Sequence, residues 1–388
     1  MMTKKQTPRI AIIGAGPGGL TLARVLQVRG LSAMVFEQEA SPTERSQGGT
    51  LDLHQDTGQK AIRMAGLTDE FRAVARYEDQ RSRLLDKNGT ILLDEDPGSA
   101  GDHPEVDRTE LRAILLDSLA SGAVHWGCNL RSLRPMSDGC HELIFENGLR
   151  ETFDLVVGAD GAWSRVRPLL SQAVPLYTGV TFIETGLDQV DEEHPAVAQL
   201  VGHGSMSALA PNKGLSAQRN GHGHIRIYVA FRCPFKWETE AGFNEEQPEA
   251  ARAWLLKQFA DWHPSLQALL QECNDHFVVR PLYMLPVGHR WDFHSGVTLL
   301  GDAAHLMSPA TGQGVNLAML DAAELGWAIS ERQSLDEAIH TYEQLMFPRA
   351  LAANRFADES LNVFISSDAP YGALTHVRQH FISGQALD

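Results

Sequence analysis

Short apolar runs that stop at a glycine turn and give way to a helical pattern recur along this chain. Ile10-Ala11-Ile12-Ile13 leads into Gly14-Ala15-Gly16-Pro17-Gly18-Gly19, and Leu20, Leu22, Ala23, Val25 and Leu26 then mark one helical face, closed by Gly30. Ala33-Met34-Val35-Phe36 is a second strand pattern, ending in Glu37. Leu155-Val156-Val157 runs into Gly158-Ala159-Asp160-Gly161, and Val297-Thr298-Leu299-Leu300 into Gly301-Asp302, with an alanine- and leucine-rich helix over residues 317–329. Strands apolar throughout and separated by helices predict a parallel sheet covered on both faces.

A second pattern interrupts the first. Asn88-Gly89 and Asn147-Gly148 each sit between short apolar runs, the strongest local hairpin signal. Residues 178–276 read as strand-rich: Val180-Thr181-Phe182-Ile183, a strand over 196–201, and the alternating Ile225-Arg226-Ile227-Tyr228-Val229-Ala230-Phe231. Alternation predicts an antiparallel sheet with one buried face and one facing a cavity. Helices are expected over 251–259 and 266–273, and a long C-terminal helix over 335–356, with Pro348 marking a kink or break.

The glycine turns carry chemistry. Gly14-x-Gly16-x-x-Gly19 between strand and helix is the dinucleotide fingerprint: Gly14 makes the tight turn, Gly16 admits a pyrophosphate, and Gly19 allows close helix–strand packing. Glu37 lies 23 residues beyond Gly14, near the roughly 20 expected of an acid that binds ribose hydroxyls. An acid there disfavours a 2′-phosphate, so the site suits FAD or NAD over NADP. Residues 301–316 hold an acid, Asp302, a glycine turn at Gly312 and Gly314, and a helix start at Asn316; such a segment can bind hydroxyls and offer free N–H groups. Asp52 follows a Gly-Gly turn and is placed to face the cofactor. Asp107-Arg108-Thr109-Glu110 reads as a capping box with Asp107 as N-cap. Arg108 and Arg112 share that helix's face, fit for an anionic or polar ligand or for a structural ion pair. Arg45 is a solvated surface arginine or a ligand contact.

Composition narrows the partners. The 388 residues carry 33 basic and 49 acidic side chains, a net charge of −16, which argues against nucleic acid or an anionic membrane surface. Four scattered cysteines without a Cys-x-x-Cys pair read as free thiols in a reducing compartment. The apolar run from Ile10 is broken by glycines and Arg24, so it reads as neither signal peptide nor membrane span. A cytoplasmic enzyme is expected. Of the histidines in the strand-rich region only His222 and His224 are close, and no further ligands point at them; no metal is expected.

Three segments in this order and spacing, Gly14-x-Gly16-x-x-Gly19 with Glu37, residues 154–167, and Gly301-Asp302 through Gly312-Gln313-Gly314-x-Asn316, resemble the class A flavoprotein monooxygenases of the p-hydroxybenzoate-hydroxylase-like group. Within it the chain looks most like the tetracycline-inactivating monooxygenases, through Gly48-Gly49-Thr50-Leu51-Asp52-Leu53-His54, His103-Pro104-Glu105 and Tyr342-Glu343-Gln344-Leu345-Met346-Phe347. The resemblance implies an α/β fold: a discontinuous Rossmann-type FAD-binding domain (1–75, 103–175, 277–330), an inserted antiparallel-sheet substrate domain (76–102, 176–276), and a C-terminal helical segment (331–388). It implies that Glu37 binds the adenosine ribose of FAD and Asp302 the ribityl chain. Arg108 and Asp52 would contact flavin, Asp160 would edge the nucleotide site, and Arg45 would meet a transient NADPH. The turn from Pro309 to Asn316, with Gly312 and Gly314, would lie beside the ring.

The implied activity is hydroxylation of an aromatic or polycyclic small molecule with O2, through a flavin C4a-hydroperoxide, by a monomer, with tetracyclines among the candidate substrates. Glu184 and Arg226 fall where that family places substrate contacts of other residue types; they can also pair with each other. No residue is expected as catalytic nucleophile or base. His305 reads as structural. A flavin-dependent halogenase is a rival, although no Trp-x-Trp-x-Ile-Pro segment occurs among the seven tryptophans; a non-catalytic flavin- or ligand-binding protein is another.

Overall fold

A computed structural model describes residues 7–44, 48–97, 102–137 and 139–382. The predicted parallel sheet is present, and the four expected strands are joined by an unexpected fifth at the edge, in the order Val297–Leu299, Leu155–Gly158, Ile10–Ile13, Met34–Phe36, Val124–His125. Each neighbouring pair is parallel, so all three glycine turns leave the same edge of the sheet. Every residue of Ile10–Ile13, Leu155–Gly158 and Val297–Leu299 is buried, as strands covered on both faces require. Helices Pro17–Val28 and Gln313–Glu331 pack on one face. Their approach is close enough that a Cβ on Gly326 would lie 2.8 Å from Cγ1 of Val25.

The second part is a mostly antiparallel seven-stranded sheet in the order Val278–Met284, Leu176–Leu187, Ile225–Arg232, Lys213–Arg219, Gly204–Ala210, Arg81–Asp86, Ile91–Glu95; the pair Gly204–Ala210 and Arg81–Asp86, which joins two distant parts of the chain, runs parallel. Alternation decides its two faces. Ile183, Leu215, Ile227 and Val229 are buried in one core with Leu255 and Leu266 of the helices behind them. Phe182, Glu184, Ser216, Gln218 and Tyr228, the residues in between, line a cavity. The sheet continues past residue 276, where the sequence reading placed a boundary: Val278–Met284 pairs with Leu176–Leu187. A separate three-stranded sheet, Arg150–Phe153, His141–Phe145, Leu130–Pro135, contains the second predicted hairpin.

Two local expectations are corrected. The strand expected over 196–201 is the helix Pro195–Val201. A proline at the first helical position has its φ already set, and Val197 and Val201, four apart, are both buried. Asp107 precedes helix Arg108–Asp117 in extended conformation, but its side chain makes no cap. Instead its carboxylate accepts from Gly221 N at 3.2 Å and pairs with Arg76 at 2.9 Å, joining two parts of the chain.

The C-terminal helix is longer than expected, Leu335–Phe364, and runs through Pro348. It is tied to the parallel sheet by Tyr342, whose buried hydroxyl donates to the carbonyl of Leu299 at 2.8 Å. Among the described residues no helix is long and apolar enough to cross a membrane.

Candidate active site

One cavity of about 1480 Å³ runs from the fingerprint turn to the alternating face of the seven-stranded sheet. Beside the fingerprint turn lie Gly14, Gly16, Pro17, Gly18, Glu37, Cys128 and Asp160; then come Asp302, Asp52, Arg108, Pro309, Gly312 and Gly314; on the sheet side lie Glu184, Tyr228 and Arg280. Of the sequence-predicted residues, Gly14, Gly16, Glu37, Asp52, Arg108, Asp160, Asp302, Pro309, Gly312, Gly314 and Glu184 are brought to this space. Gly19, Asn316 and Arg226 do not line it. Arg45 lies outside the described residues.

The glycines divide by what surrounds them. Gly14 has φ +107°, and a Cβ there would sit 2.4 Å from the carbonyl oxygen of Ala159. At Gly19 it would sit 2.1 Å from the carbonyl oxygen of Gly14, so this residue serves packing. At Gly16 a Cβ would meet no protein atom within 4 Å. Packing within the chain therefore gives no reason for glycine at 16, which leaves the cavity side.

The acids are held by backbone. Ala15 N donates to Glu37 Oε2 at 2.6 Å and Glu39 N to Oε1 at 3.1 Å. Asp160 Oδ2 accepts from Arg165 N at 2.6 Å, while its buried Oδ1 has no protein partner. Burial raises the Asp160 carboxyl above the usual range. Asp302 is exposed on its cavity side yet surrounded by protein mass. Desolvation therefore raises its pKa, opposed by the positive charge of His305, Arg108 and Arg167. Asn316 spends its amide on structure: Oδ1 accepts from His54 N at 2.9 Å and Gly58 N at 3.2 Å, and Nδ2 donates to the Asp52 carbonyl at 2.8 Å.

The Arg108–Arg112 face splits. Arg108 lines the cavity, whereas Arg112 is a buried structural partner, 2.8 Å from Glu39. At the far end Arg226 pairs with Glu184, and Arg280 Nε donates to the other oxygen of that carboxylate at 2.7 Å.

A family model for the FAD binding domain matches residues 7–357. The chain belongs to that family. It is 32% identical over 417 residues to the monooxygenase penA of Penicillium thymicola, covering 93% of this chain and 96% of that protein. It is 30% identical to the monooxygenase asqM of Emericella nidulans, covering 95% and 98%. Its fold is similar to that of Klebsiella pneumoniae HpxO complexed with FAD and uric acid (TM-score 0.81, 22% identity, 96% and 93% covered). It is also similar to tetracycline destructase Tet(55) (TM-score 0.74, 22% identity, 98% and 96% covered). The protein is a flavoprotein monooxygenase, and its cofactor is FAD.

The cavity of this monooxygenase fits such a cofactor. It is elongated, has an open glycine at 16, an unpartnered buried oxygen on Asp160 and an acid, Asp302, at the next turn. Several lining or supporting residues escaped the sequence reading. Arg280 and Tyr228 sit on strands whose register was not predictable, although their alternation with core residues was a usable signal. Glu105, cross-strand from Asp52, is buried; desolvation pushes its carboxyl to about 8, with the Asp52 charge adding to the rise. Asp52, His54 and His103 bring three ligand-type atoms within 4.8 Å of one another. Yet the two imidazoles stack 4.2 Å apart at 13°. Their in-plane lone pairs run side by side and do not converge as metal ligands must.

Proposed function

We propose that this monooxygenase hydroxylates an electron-rich aromatic or polycyclic molecule held between the seven-stranded sheet and the 309–316 turn. The observation that carries the reading is the continuity of the cavity: dinucleotide turns at one end, the sheet's polar and aromatic face at the other. In this assignment Gly14, Gly16 and Glu37 hold the adenosine half of FAD, Asp160 edges the nucleotide, and Asp302, Asp52 and Arg108 hold the ribityl–flavin half. The domain division is assigned to the parallel and the seven-stranded sheets, with the substrate part extended through Val278–Met284 and helix Leu335–Phe364 bracing them. Arg45 is assigned to the NADPH encounter.

When bound and reduced by NADPH, FAD supplies the oxygen-activating chemistry. The chain's own residues bind, orient and exclude water. Helix Gln313–Glu331 begins at Gly312 with free backbone donors and the positive end of its dipole. That end suits the negative charge that reduction places on a flavin ring. Phe182, Tyr228 and Leu282 give the substrate a largely apolar wall, which keeps water from the reacting centre. Glu184 acts with Arg226 and Arg280 as one charged cluster toward the substrate. Tetracyclines enter as candidates because tetracycline destructases share the fold; the fungal relatives, at higher identity, are named only as monooxygenases. The protein is assigned as a monomer of the cytoplasm, using O2.

The test is purification with oxidised-flavin absorption, then NADPH consumption in air with and without a panel of phenols, N-heteroaromatics and tetracyclines. Mass spectrometry should find a product heavier by one oxygen. Absence of any substrate-stimulated, oxygen-dependent NADPH oxidation across the panel would favour a binding protein. Asp302→Ala should release FAD more than it unfolds the chain; unchanged FAD affinity would remove Asp302 from the site.

A further inference from the structure

The buried polar cluster behind Asp302 faces away from the cavity and has no part in the function proposed above. Asp321 is fully buried and its carboxylate is shared three ways. Oδ2 lies 2.6 Å from His305 Nε2 and accepts from Gly301 N at 3.2 Å; Oδ1 accepts from Arg349 Nη2 at 2.9 Å. Gly301 is the left-handed turn residue immediately before Asp302, with φ +58°. His305 is one helical turn after Asp302, 2% exposed, and its Nδ1 is buried with no protein partner. A fully buried carboxylate bonded to a ring nitrogen favours the imidazolium.

We propose that His305 is a positioning residue for FAD: its ring orients the Asp321 carboxylate, whose same oxygen takes Gly301 N, and so fixes the turn that presents Asp302 to the cofactor's hydroxyls. The inference rests on the reading that FAD occupies this cavity. The groups facing His305 are Asp302 on its own short helix, Asp321 on helix Gln313–Glu331, and Arg349 on helix Leu335–Phe364. His289 reaches the carbonyl of Ala304 at 2.7 Å, and Arg167 and Arg108 also act on Asp302. Burial is the largest influence and opposes charge on His305, but Asp321 and Asp302 together turn the net direction upward; His305 and Arg349 in turn hold Asp321 low against its own burial. Burial raises Asp302, and His305 is the first of the charges that oppose the rise. Removing that positive charge therefore moves the ionisation of Asp302 to higher pH. An un-ionised carboxyl gives up acceptor strength toward sugar hydroxyls.

The experiment measures the FAD dissociation constant of the full chain from pH 5 to 9, by flavin fluorescence on apoprotein, beside the melting temperature of the apoprotein. His305→Gln and Asp321→Asn should each weaken FAD by tenfold or more near neutrality. In both, the acidic loss of affinity should begin at higher pH than in the unaltered protein. Arg349→Gln, which removes the partner of Glu324 and of the outer Asp321 oxygen but leaves the oxygen shared by His305 and Gly301, should lower the melting temperature and leave the pH profile in place. Two inner variants allow one to fail to fold while the other reports. The proposal is overturned if a folded inner variant keeps FAD affinity within twofold and a superimposable profile, or if Arg349→Gln shifts the profile equally. An unaltered chain that binds no FAD at any pH would instead overturn the cofactor assignment beneath it.

Discussion

Gly16→Ala is the substitution on which the site assignment turns, because it separates folding from binding. Gly16 has φ −77° and ψ 176°, an extended conformation that alanine adopts freely, and an added Cβ finds no protein atom within 4 Å. Alanine at a compatible position stabilises by roughly 0.4–1 kcal/mol through the unfolded chain. Gly16 is also the N-cap of helix Pro17–Val28, where alanine is somewhat worse than glycine. The two effects nearly cancel, and apoprotein stability should move by less than about 0.5 kcal/mol. The methyl group enters the space assigned to the pyrophosphate. Overpacking there, at about 1–3 kcal/mol, corresponds to FAD binding roughly 5- to 150-fold weaker. Gly19→Ala supplies the contrast: its Cβ would lie 2.1 Å from a backbone oxygen, so its loss falls on stability of the apoprotein first. Urea unfolding of apoprotein and FAD titration of the same preparations measure both quantities. If Gly16→Ala binds FAD as the unaltered chain does, the pyrophosphate does not pass Gly16 and the placement of the cofactor along this cavity is wrong.

Three further outcomes follow from buried groups. Glu105 has a folded pKa of about 8 against an ordinary 4.5; its contribution is fully present below the ordinary value and is lost as pH rises toward 8. Glu105→Gln should therefore flatten the decline in melting temperature between about pH 5 and 8, and an unchanged slope would contradict a protonated Glu105. Arg112→Ala removes the cation from buried Glu39 and should cost about 3 kcal/mol or more in urea unfolding; Arg112→Met with Glu39→Leu should recover most of it, whereas a ligand-binding Arg112 would show little loss without FAD. Tyr342→Phe deletes the bond to the Leu299 carbonyl and should cost about 1 kcal/mol; a loss under 0.3 kcal/mol would mean that this tie contributes nothing to stability.

What the sequence disclosed and what it withheld divide along one physical line. Whereas the short, half-buried edge strand Val124–His125 carried no such signal, the other four strands of the five-stranded sheet were legible because their apolar runs are buried and three of them end in glycine turns. Gly14, Gly16 and Glu37 could be placed at one cavity end for that reason. Ambiguity began where a short apolar run carried no period, as at residues 196–201, and Pro195 was the one cue that favoured a helix over a strand. It also began where a side chain had two possible debts. Asp107 had the spacing of an N-cap, but its carboxylate is taken by Arg76 and Gly221, the latter 114 residues away in sequence. Asn316 had the position of a ring contact, but its amide serves His54 and Gly58. The segment that faces the assigned flavin was legible as a motif, while what holds it was not. Helix Leu335–Phe364 grips it at three places along one side. Tyr342 bonds to Leu299, Arg349 reaches Gly301 through Asp321, and the Ala357 carbonyl accepts from the Ser308 hydroxyl at 2.8 Å. Residues 342, 349 and 357 are about two turns apart, so one helix face meets successive points of residues 299–308. The ties at Leu299 and Ser308 hold the segment that carries Asp302 directly against the helix, and Arg349 braces Asp321 from the outer side. The long helix is therefore part of the site, though among the residues of this clamp it is Gly301, Asp302 and Ser308 that line the cavity.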